Sequence, residues 1–533
     1  MLVEWKTIGL LRPEIVLALA ATSIFVAGAF TKSRAWWAMI AVVSYLAAAV
    51  ALVAQGVPWA VETVLTGPVA IDPMSLSLRW LALFMGLVFT LIAARLAEPE
   101  LASEFFGCVM LVAVGVMLAA SANELVLLFL GLELISIPTY VLLFLGRRDR
   151  ASGEATMKYF YLSILSSALL LYGLTFLYGL GRTTLIAGTA EIPGIREALA
   201  SPRLLAASPL APLAPLALAL VVAGLGFKLA VAPLQFYAPD VYQGTTNVNA
   251  GLLAVAPKIA GVAGFIRLVI VAMPAAADRA WQLALVLAVV TMTIGNVCAL
   301  WQKNIRRLLA YSSIAHGGYL LIGLAAAAAA TSAGQPALRG GVTAMLLYVL
   351  VYALASMGAF AALAYLGSAR REVNEVDELA GLARSQPLIA GALAVCMFSL
   401  AGLPPLAGFW GKLSLFGSAI QLATLDTVPL DKGVPLWFTV LAAAGALNAA
   451  VAAAYYLRIV SVMFFQAPVQ PLAAAGGRSA WLAAVICSAL VVASGALPGR
   501  LLESATKAES ALRPLAKSTQ TARVAASQQP QGK

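Results

Sequence analysis

The chain has 533 residues, of which 62% are hydrophobic and 11% charged, against about 25% charged in an ordinary soluble chain. Mean hydropathy is +0.93, and apolar stretches of about 20 residues recur from end to end, which excludes a soluble enzyme and leaves no polar block large enough for a soluble domain. The net charge of +11 does not point to nucleic acid, because the basic residues are scattered among short loops, where they fix orientation in a membrane.

In chain order, apolar runs and their breaks predict about 14 membrane helices. They lie near residues 12–30, 36–54, 74–96, 104–120, 122–145, 156–179, 211–243, 247–273, 281–300, 304–328, 339–367, 387–421, 436–465 and 478–497. The first follows Lys6 and Arg12 and is read as a retained helix rather than a cleaved leader. Residues 181–210 read as a loop, and 499–533, polar, basic and rich in Ser and Gln, as a disordered tail. The expected division is a three-helix segment (1–100), two five-helix repeats (101–280 and 281–470), a last membrane helix (471–498) and the tail.

Charge orients this all-α bundle. Loops after odd-numbered helices hold 15 basic residues (Lys32, Arg34, Arg95, Arg147, Arg148, Arg150, Lys158, Lys303, Arg306, Arg307, Arg370, Arg371, Arg384, Arg458 and Arg478). Loops after even-numbered helices hold 6 (Arg182, Arg196, Arg203, Arg279, Arg339 and Lys432). The first set is expected in the cytoplasm and both termini on the opposite side. The basic tail opposes this assignment, but a chain end weighs less than a short loop.

Few ionisable residues remain inside the spans. Glu133 sits in "LLFLGLELISIPTYVLL", Lys228 in "GFKLAVAPLQFYAPDVYQG", Lys258 in "GLLAVAPKIAGVAGFI", Lys412 in "LAGLPPLAGFWGKLSLF", and the single histidine, His316, in "LLAYSSIAHGGYLLIGL". Arg79 and Arg267 lie nearer helix ends and are expected to snorkel. An ammonium in hydrocarbon is costly and is kept for packing or for function. Each lysine taken alone could be a paired residue that only locks helices together. Three deep lysines with a glutamate and a histidine suit a proton relay: desolvation makes an ammonium give up its proton, and a nearby carboxylate reverses that. Lys228 precedes Pro233 and Pro239, and Lys412 follows Pro404 and Pro405. Helices broken by proline inside a membrane line hydrated cavities. Glu133 to His316 is 183 residues and Lys228 to Lys412 is 184, which suggests an internal duplication of five helices per unit. An odd number inverts the second unit.

Other chemistry is not encoded. The four cysteines, Cys108, Cys298, Cys396 and Cys487, are single and far apart, so no C-x-x-C metal or cluster motif exists. No G-x-G-x-x-G opens a helix after a strand, and "GFWGKLS" has leucine where a phosphate loop needs Ser or Thr. One histidine cannot supply bis-histidine haem ligation.

These residues resemble a known family. "KLAVAPLQFYAPDVYQG" followed by "PKIAG", "RRLLAYSSIAHGGYLLIG" and "SLAGLPPLAGFWGKL" resembles the proton-translocating membrane subunits of respiratory complex I, from about Glu124 to Met463. The "PDVYxG" form and Lys258 in the eighth helix are similar to NADH-quinone oxidoreductase subunit N. The sister subunits L and M, and related cation/proton antiporters, typically carry a "PDAH"-like sequence and a histidine in that helix. The resemblance implies a 14-helix subunit with two inverted antiporter-like repeats and broken seventh and twelfth helices. It implies Glu133 and Lys228 as a carboxylate–lysine pair, Lys258 as the central relay lysine, and Lys412 near the exit. Lys158 in "EATMKYF" and His316 also match family positions. The implied activity couples electron transfer from NADH to quinone in other subunits to proton pumping. Flavin, iron–sulfur clusters and quinone would sit on those partners, no cofactor is expected in this chain, and the expected location is a bacterial inner membrane. The rival readings are a cation/proton antiporter subunit, the membrane arm of a hydrogenase- or ferredoxin-linked complex, and a structural subunit with a disabled path. One position departs: where the family usually has histidine in "PFHxWxPDVY", this chain has Gln235. Glutamine orients water but does not titrate, so the expectation is water bridging Lys228 and Lys258 with Gln235 positioning it. "QGTTNVNA" also replaces the usual "EGAPTP"-like continuation.

Overall fold

The computed structural model describes residues 5–56, 63–147, 149–189, 192–200, 209–333, 340–368, 371–424, 433–468 and 474–512. Of the basic residues used for orientation, Arg148, Arg203, Arg339, Arg370 and Lys432 lie outside these ranges.

The membrane helices are α1 (Arg12–Gly28), α2 (Arg34–Ala54), α3 (Pro73–Ala93), α4 (Ala102–Ser121), α5 (Leu125–Gly146), α6 (Arg150–Gly181), α7a (Ala214–Leu229), α7b (Tyr237–Gly244), α8 (Asn247–Phe265), α9 (Ala277–Leu300), α10 (Ile305–Ser332), α11 (Gly341–Leu366), α12a (Pro387–Ala401), α12b (Ala407–Thr424), α13 (Val434–Phe465) and α14 (Gly477–Ala496). Among the described residues, twelve runs, with α7a and α7b counted as one, are long and apolar enough to cross a membrane. Adding α1, of 17 residues, and the interrupted α12 gives the fourteen that hydropathy predicts.

Polar side chains start several of these helices by accepting an otherwise unpaired N–H of the first turn. Asp72 caps α3 through Ser75 N at 2.7 Å, Asp149 caps α6 through Ser152 N at 2.8 Å, and Asn304 caps α10 through Arg307 N at 3.0 Å. Asp149 lies outside the membrane. Partial burial raises its carboxyl, but the Ser152 N–H and the Arg147 guanidinium outweigh this and hold it below the usual carboxylate range.

Helices α8, α10 and α11 are buried almost throughout, whereas α2, α6, α13 and α14 bury only one side. The core is therefore a three-helix spine, with α11 packed against both α8 and α10. Helices α4–α8 and α9–α13 form two five-helix units built alike. In the first, Glu124 bridges Leu185 and the Leu125 N–H bonds Thr184 O at 2.9 Å. In the second, Asn304 bridges Glu375 and the Ile305 N–H bonds Asn374 O at 2.8 Å. Each unit has five crossings, so the second runs inverted.

The fourth helix of each unit is interrupted. α7a ends at Ala230 (φ 57°) and α12a at Gly402 (φ 87°), both left-handed, a common way to stop a helix. These caps are 172 residues apart, as are Pro233 and Pro405, not the 184 that separates the lysines. Lys228 stands just before its break and Lys412 after its own, so the lysine interval does not superpose the two units.

Two further expectations are corrected. Arg79 and Arg267 do not snorkel: both are buried. Arg79 makes a bidentate pair with Glu14, both contacts at 2.7 Å. Arg267 lies in a π-helical turn after α8 (Ile266–Ala272), 2.8 Å from the Asp72 carboxylate and 3.1 Å from Ala120 O. Burial is tolerated because each guanidinium has a carboxylate and carbonyl oxygens. The tail also begins with structure, since Pro498–Ala511 form a helix, α15. Its buried face is Ala505, Ala508 and Ala511, small residues that add little to hydropathy, and Glu509 anchors it to α11. Residues 513–533 lie outside the described ranges.

Candidate functional site

Apart from the buried arginine–carboxylate pairs, Glu133, Lys228, Lys258, His316 and Lys412 fall into two groups. The first lies between α5, α6 and α7a. The Glu133 carboxylate accepts from the Ser167 hydroxyl of α6. Lys228, almost fully buried in the last turn of α7a, donates to Ser136 Oγ at 2.6 Å. Ser136 is one turn beyond Glu133, so α5 presents both on one face. Glu133 and Lys228 form no direct ion pair; each is held by a serine.

The second group lies on the spine. Lys258 donates to Ser313 Oγ of α10 at 2.5 Å. Ser313 also meets Tyr242 OH of α7b at 3.2 Å and Tyr352 OH of α11 at 3.0 Å. A serine hydroxyl has one proton and two lone pairs. With Lys258 on one lone pair, Tyr242–Ser313–Tyr352 has two hydrogen-bond orders. In one, Tyr242 donates to Ser313 and Ser313 to Tyr352, whose proton goes to Ala254 O at 3.2 Å. In the other, every donor in the chain reverses. Such a chain has the hydrogen-bond connectivity that hydroxyl reorientation requires.

One turn further along α10, His316 Nδ1 lies 2.6 Å from Tyr348 OH and Nε2 lies 3.0 Å from Tyr456 OH. A neutral imidazole has one donor and one acceptor, so the two phenols play opposite roles. Tyr456 continues to Ser312. The His316 and Tyr352 rings are in tilted contact, with centroids 4.7 Å apart, so this cluster lies beside the Lys258 group without a hydrogen bond between them among the described residues.

Lys412 of α12b reaches back to Ala401 O at 2.8 Å and lies 5.0 Å from the centre of the Tyr319 ring. The Ala401 carbonyl is available because α12a stops at Gly402. Lys228 and Lys412 therefore take equivalent places despite their unequal spacing. Lys228 lies in the last turn of α7a and the Lys412 ammonium reaches the last carbonyl of α12a, so each lysine adjoins the negative, C-terminal end of an interrupted half-helix. Lys228 is there by sequence and Lys412 by reach. A small cavity of about 10 Å³, lined by His316, Tyr348, Tyr352, Ser399, Gly408 and Lys412 among others, lies between the histidine and this lysine. That is close to the space one water needs.

Between the groups, α7a packs directly on α8. A Cβ placed on Gly261, one turn past Lys258, would lie 3.5 Å from Lys228 Cβ. Gln235 lies in a short 3₁₀ turn, Leu234–Phe236, half-exposed beside exposed Pro233 and Phe236. Its side chain bonds neither lysine, and its buried Oε1 has no hydrogen-bond partner among the described residues. Lys158 sits apart, half-exposed at the start of α6, with Glu154 at 2.7 Å and Asp240 at 2.6 Å. Asp240 also holds Arg307 at 2.6 Å.

Sequence reading did not single out Ser136, Ser313, Tyr242, Tyr348, Tyr352 or Tyr456. Two signals were present. Serine precedes the histidine by one turn in "YSSIAH", and Tyr348, Tyr352 and Ser356 follow at four-residue spacing along α11. Among the described residues no three His, Cys, Asp or Glu side chains cluster as a metal site requires.

Fourteen membrane segments, two inverted units with broken helices, and buried cations at those breaks define an antiporter-like membrane protein. The family model described as NADH:quinone oxidoreductase/Mrp antiporter, TM, matches residues 122–430. NADH-quinone oxidoreductase subunit N of Rhodospirillum rubrum is 33% identical over 505 residues, 94% of this chain and 96% of that protein. Subunit N 2 of Roseiflexus castenholzii is 38% identical over 474 residues, 87% and 88% of the two chains. A chain of respiratory complex I from Thermus thermophilus, solved with bound aureothin, superposes with a TM-score of 0.73 at 31% identity, covering 92% of this chain and 99% of that one. A chain of the Mrp complex from Dietzia sp. DQ12-45-1b shares the fold, with a TM-score of 0.79 at 21% identity and coverage of 97% and 99%. The chain belongs to the NADH-quinone oxidoreductase subunit N family.

Proposed function

We propose that this chain is the proton-translocating membrane subunit of a NADH:quinone oxidoreductase, working as one subunit among the others of that complex. The observation that carries the reading is the string of buried groups Lys258, Ser313, Tyr352, His316, Tyr348 and Lys412 along the spine: hydrogen bonds join Lys258 to Ser313 and Tyr352, and His316 to Tyr348, a ring contact joins Tyr352 to His316, and a water-sized cavity separates His316 from Lys412. The redox chemistry belongs to partner subunits, which would carry flavin, iron–sulfur clusters and quinone. Energy released there changes the separation of Glu133 and Lys228. When the carboxylate approaches, Lys228 holds its proton; when it withdraws, Lys228 releases it toward Lys258. Hydroxyl reorientation at Ser313 and the imidazole of His316 then connect Lys258 to Lys412. Gln235 is proposed to orient water near the break rather than to titrate. Lys158, with Asp240 and Arg307, forms a charged group on the side assigned to the cytoplasm. Residues 101–280 and 281–470 act as two antiporter-like units, with 1–100 and the last membrane helix packed against them. The complex would sit in a bacterial inner membrane, with both termini of this chain on the periplasmic side.

The test is Glu133→Ala and Lys228→Ala in the assembled complex. Each should lower protons pumped per electron more than it lowers assembly. A normal ratio in both variants would refute the mechanism.

A further inference from the structure

Lys228 and Lys258 each donate to a serine hydroxyl, at 2.6 and 2.5 Å. Lys412 is held differently. An ammonium has three N–H donors, and among the described residues the one hydrogen-bond acceptor of Lys412 is Ala401 O, at 2.8 Å. An aromatic ring stands where the other lysines have a serine. Lys412 Nζ lies over the ring of Tyr319, 5.0 Å from its centre. Gly402 leaves the room for the lysine stem, since a Cβ there would lie 2.7 Å from Lys412 Cδ.

The ring is fixed on several sides. Tyr319 is 1% exposed. It makes T-shaped contacts with His316, Tyr348 and Phe416, with ring centroids 5.9, 6.1 and 6.2 Å away. Its hydroxyl accepts from Asn296 Nδ2 of α9 at 3.4 Å. Asn296 in turn bonds Asn448 and Tyr455 of α13, each at 3.0 Å. This buried network takes no part in the relay described above, yet it ends on the ring that faces Lys412. Ser313, His316 and Tyr319 recur every three residues along α10 and so share one face. The first meets Lys258 and the last meets Lys412.

We propose that Tyr319 is a further residue of the relay, whose ring face stabilises the Lys412 ammonium. The inference rests on reading Lys412 as a relay lysine. The face of an aromatic ring is negative and attracts a cation. A neutral amine has no such attraction, so the ring favours the protonated form of Lys412. It does this without a buried carboxylate, and Tyr319 exchanges no proton itself. A cation–π contact corresponds to a bias of roughly 2- to 30-fold, which leaves the lysine able to release its proton.

The experiment uses the assembled complex in inverted membrane vesicles and reads protons pumped per electron. Tyr319→Phe keeps the ring face and should pump close to wild type. Tyr319→Leu removes the ring and should lose this chain's share of the ratio, with NADH oxidation sustained under uncoupler. A graded series separates ring electrostatics from packing. Phenylalanine bearing one, two or three fluorines at position 319 keeps the ring and progressively weakens its negative face. The ratio should fall with each fluorine, while assembly and thermal unfolding stay as in Tyr319→Phe. A flat ratio across the fluorinated series overturns the proposal, as does a wild-type ratio in Tyr319→Leu. If Lys412→Ala loses this chain's share while the fluorinated series stays flat, the role of the ring alone is wrong. If Lys412→Ala pumps normally, the reading of Lys412 as a relay lysine is wrong, and the role of the ring falls with it.

Discussion

Ser313→Ala removes one oxygen and leaves three donors or acceptors without their meeting point. Lys258 loses its 2.5 Å acceptor, and Tyr242 and Tyr352 lose the hydroxyl that joins them. A hydrogen bond to a charged group contributes about 1.5–3 kcal/mol. At about 1.4 kcal/mol per tenfold, that bond corresponds to a roughly 10- to 150-fold effect on whatever step depends on it. The neutral contacts do not compensate, because both tyrosines lose a partner in either charge state. The assay is dye-monitored acidification of inverted vesicles, divided by the rate of NADH oxidation. Protons per electron should fall in Ser313→Ala, and Ser313→Thr, which keeps the hydroxyl, should recover most of the loss. A wild-type ratio in Ser313→Ala, in membranes where Lys258→Ala fails to pump, would refute the hydroxyl chain as the connection from Lys258.

Arg267→Ala should destabilise the chain by about 3–5 kcal/mol, because Asp72 stays buried without its 2.8 Å partner; thermal unfolding in detergent measures this, and the paired change Asp72→Asn with Arg267→Met should recover part of it. Asp149→Ala should cost about 1 kcal/mol as a lost helix cap, read as a lower unfolding temperature. The folded carboxyl of Asp149 titrates below its unfolded value. Its contribution is therefore complete above about pH 4 and is lost as pH falls through the depressed folded value, so the deficit of the variant should shrink on acidification.

The membrane helices were legible because hydropathy over about 20 residues reports burial in lipid directly. The breaks were legible from Pro233, Pro239, Pro404 and Pro405. The partners of the lysines were not, because serine and tyrosine are common in membrane helices and only packing shows which hydroxyls face a cation. Ser136 looks no different in sequence from Ser163. The arginines misled for a related reason: Glu14 and Asp72 lie 65 and 195 positions from Arg79 and Arg267, and distance along the chain hides a buried pair. The lysine interval of 184 does not measure the duplication, because the corresponding breaks lie 172 residues apart. What repeats is the negative end of a half-helix, and each lysine reaches it from its own side.

The central claim is that protons cross this chain through Lys258. Its most direct test is the proton/electron ratio of the assembled complex carrying Lys258→Met, which keeps most of the length of the side chain and removes its charge. A ratio below wild type, with NADH oxidation sustained under uncoupler, is the predicted result. An unchanged ratio would contradict the relay.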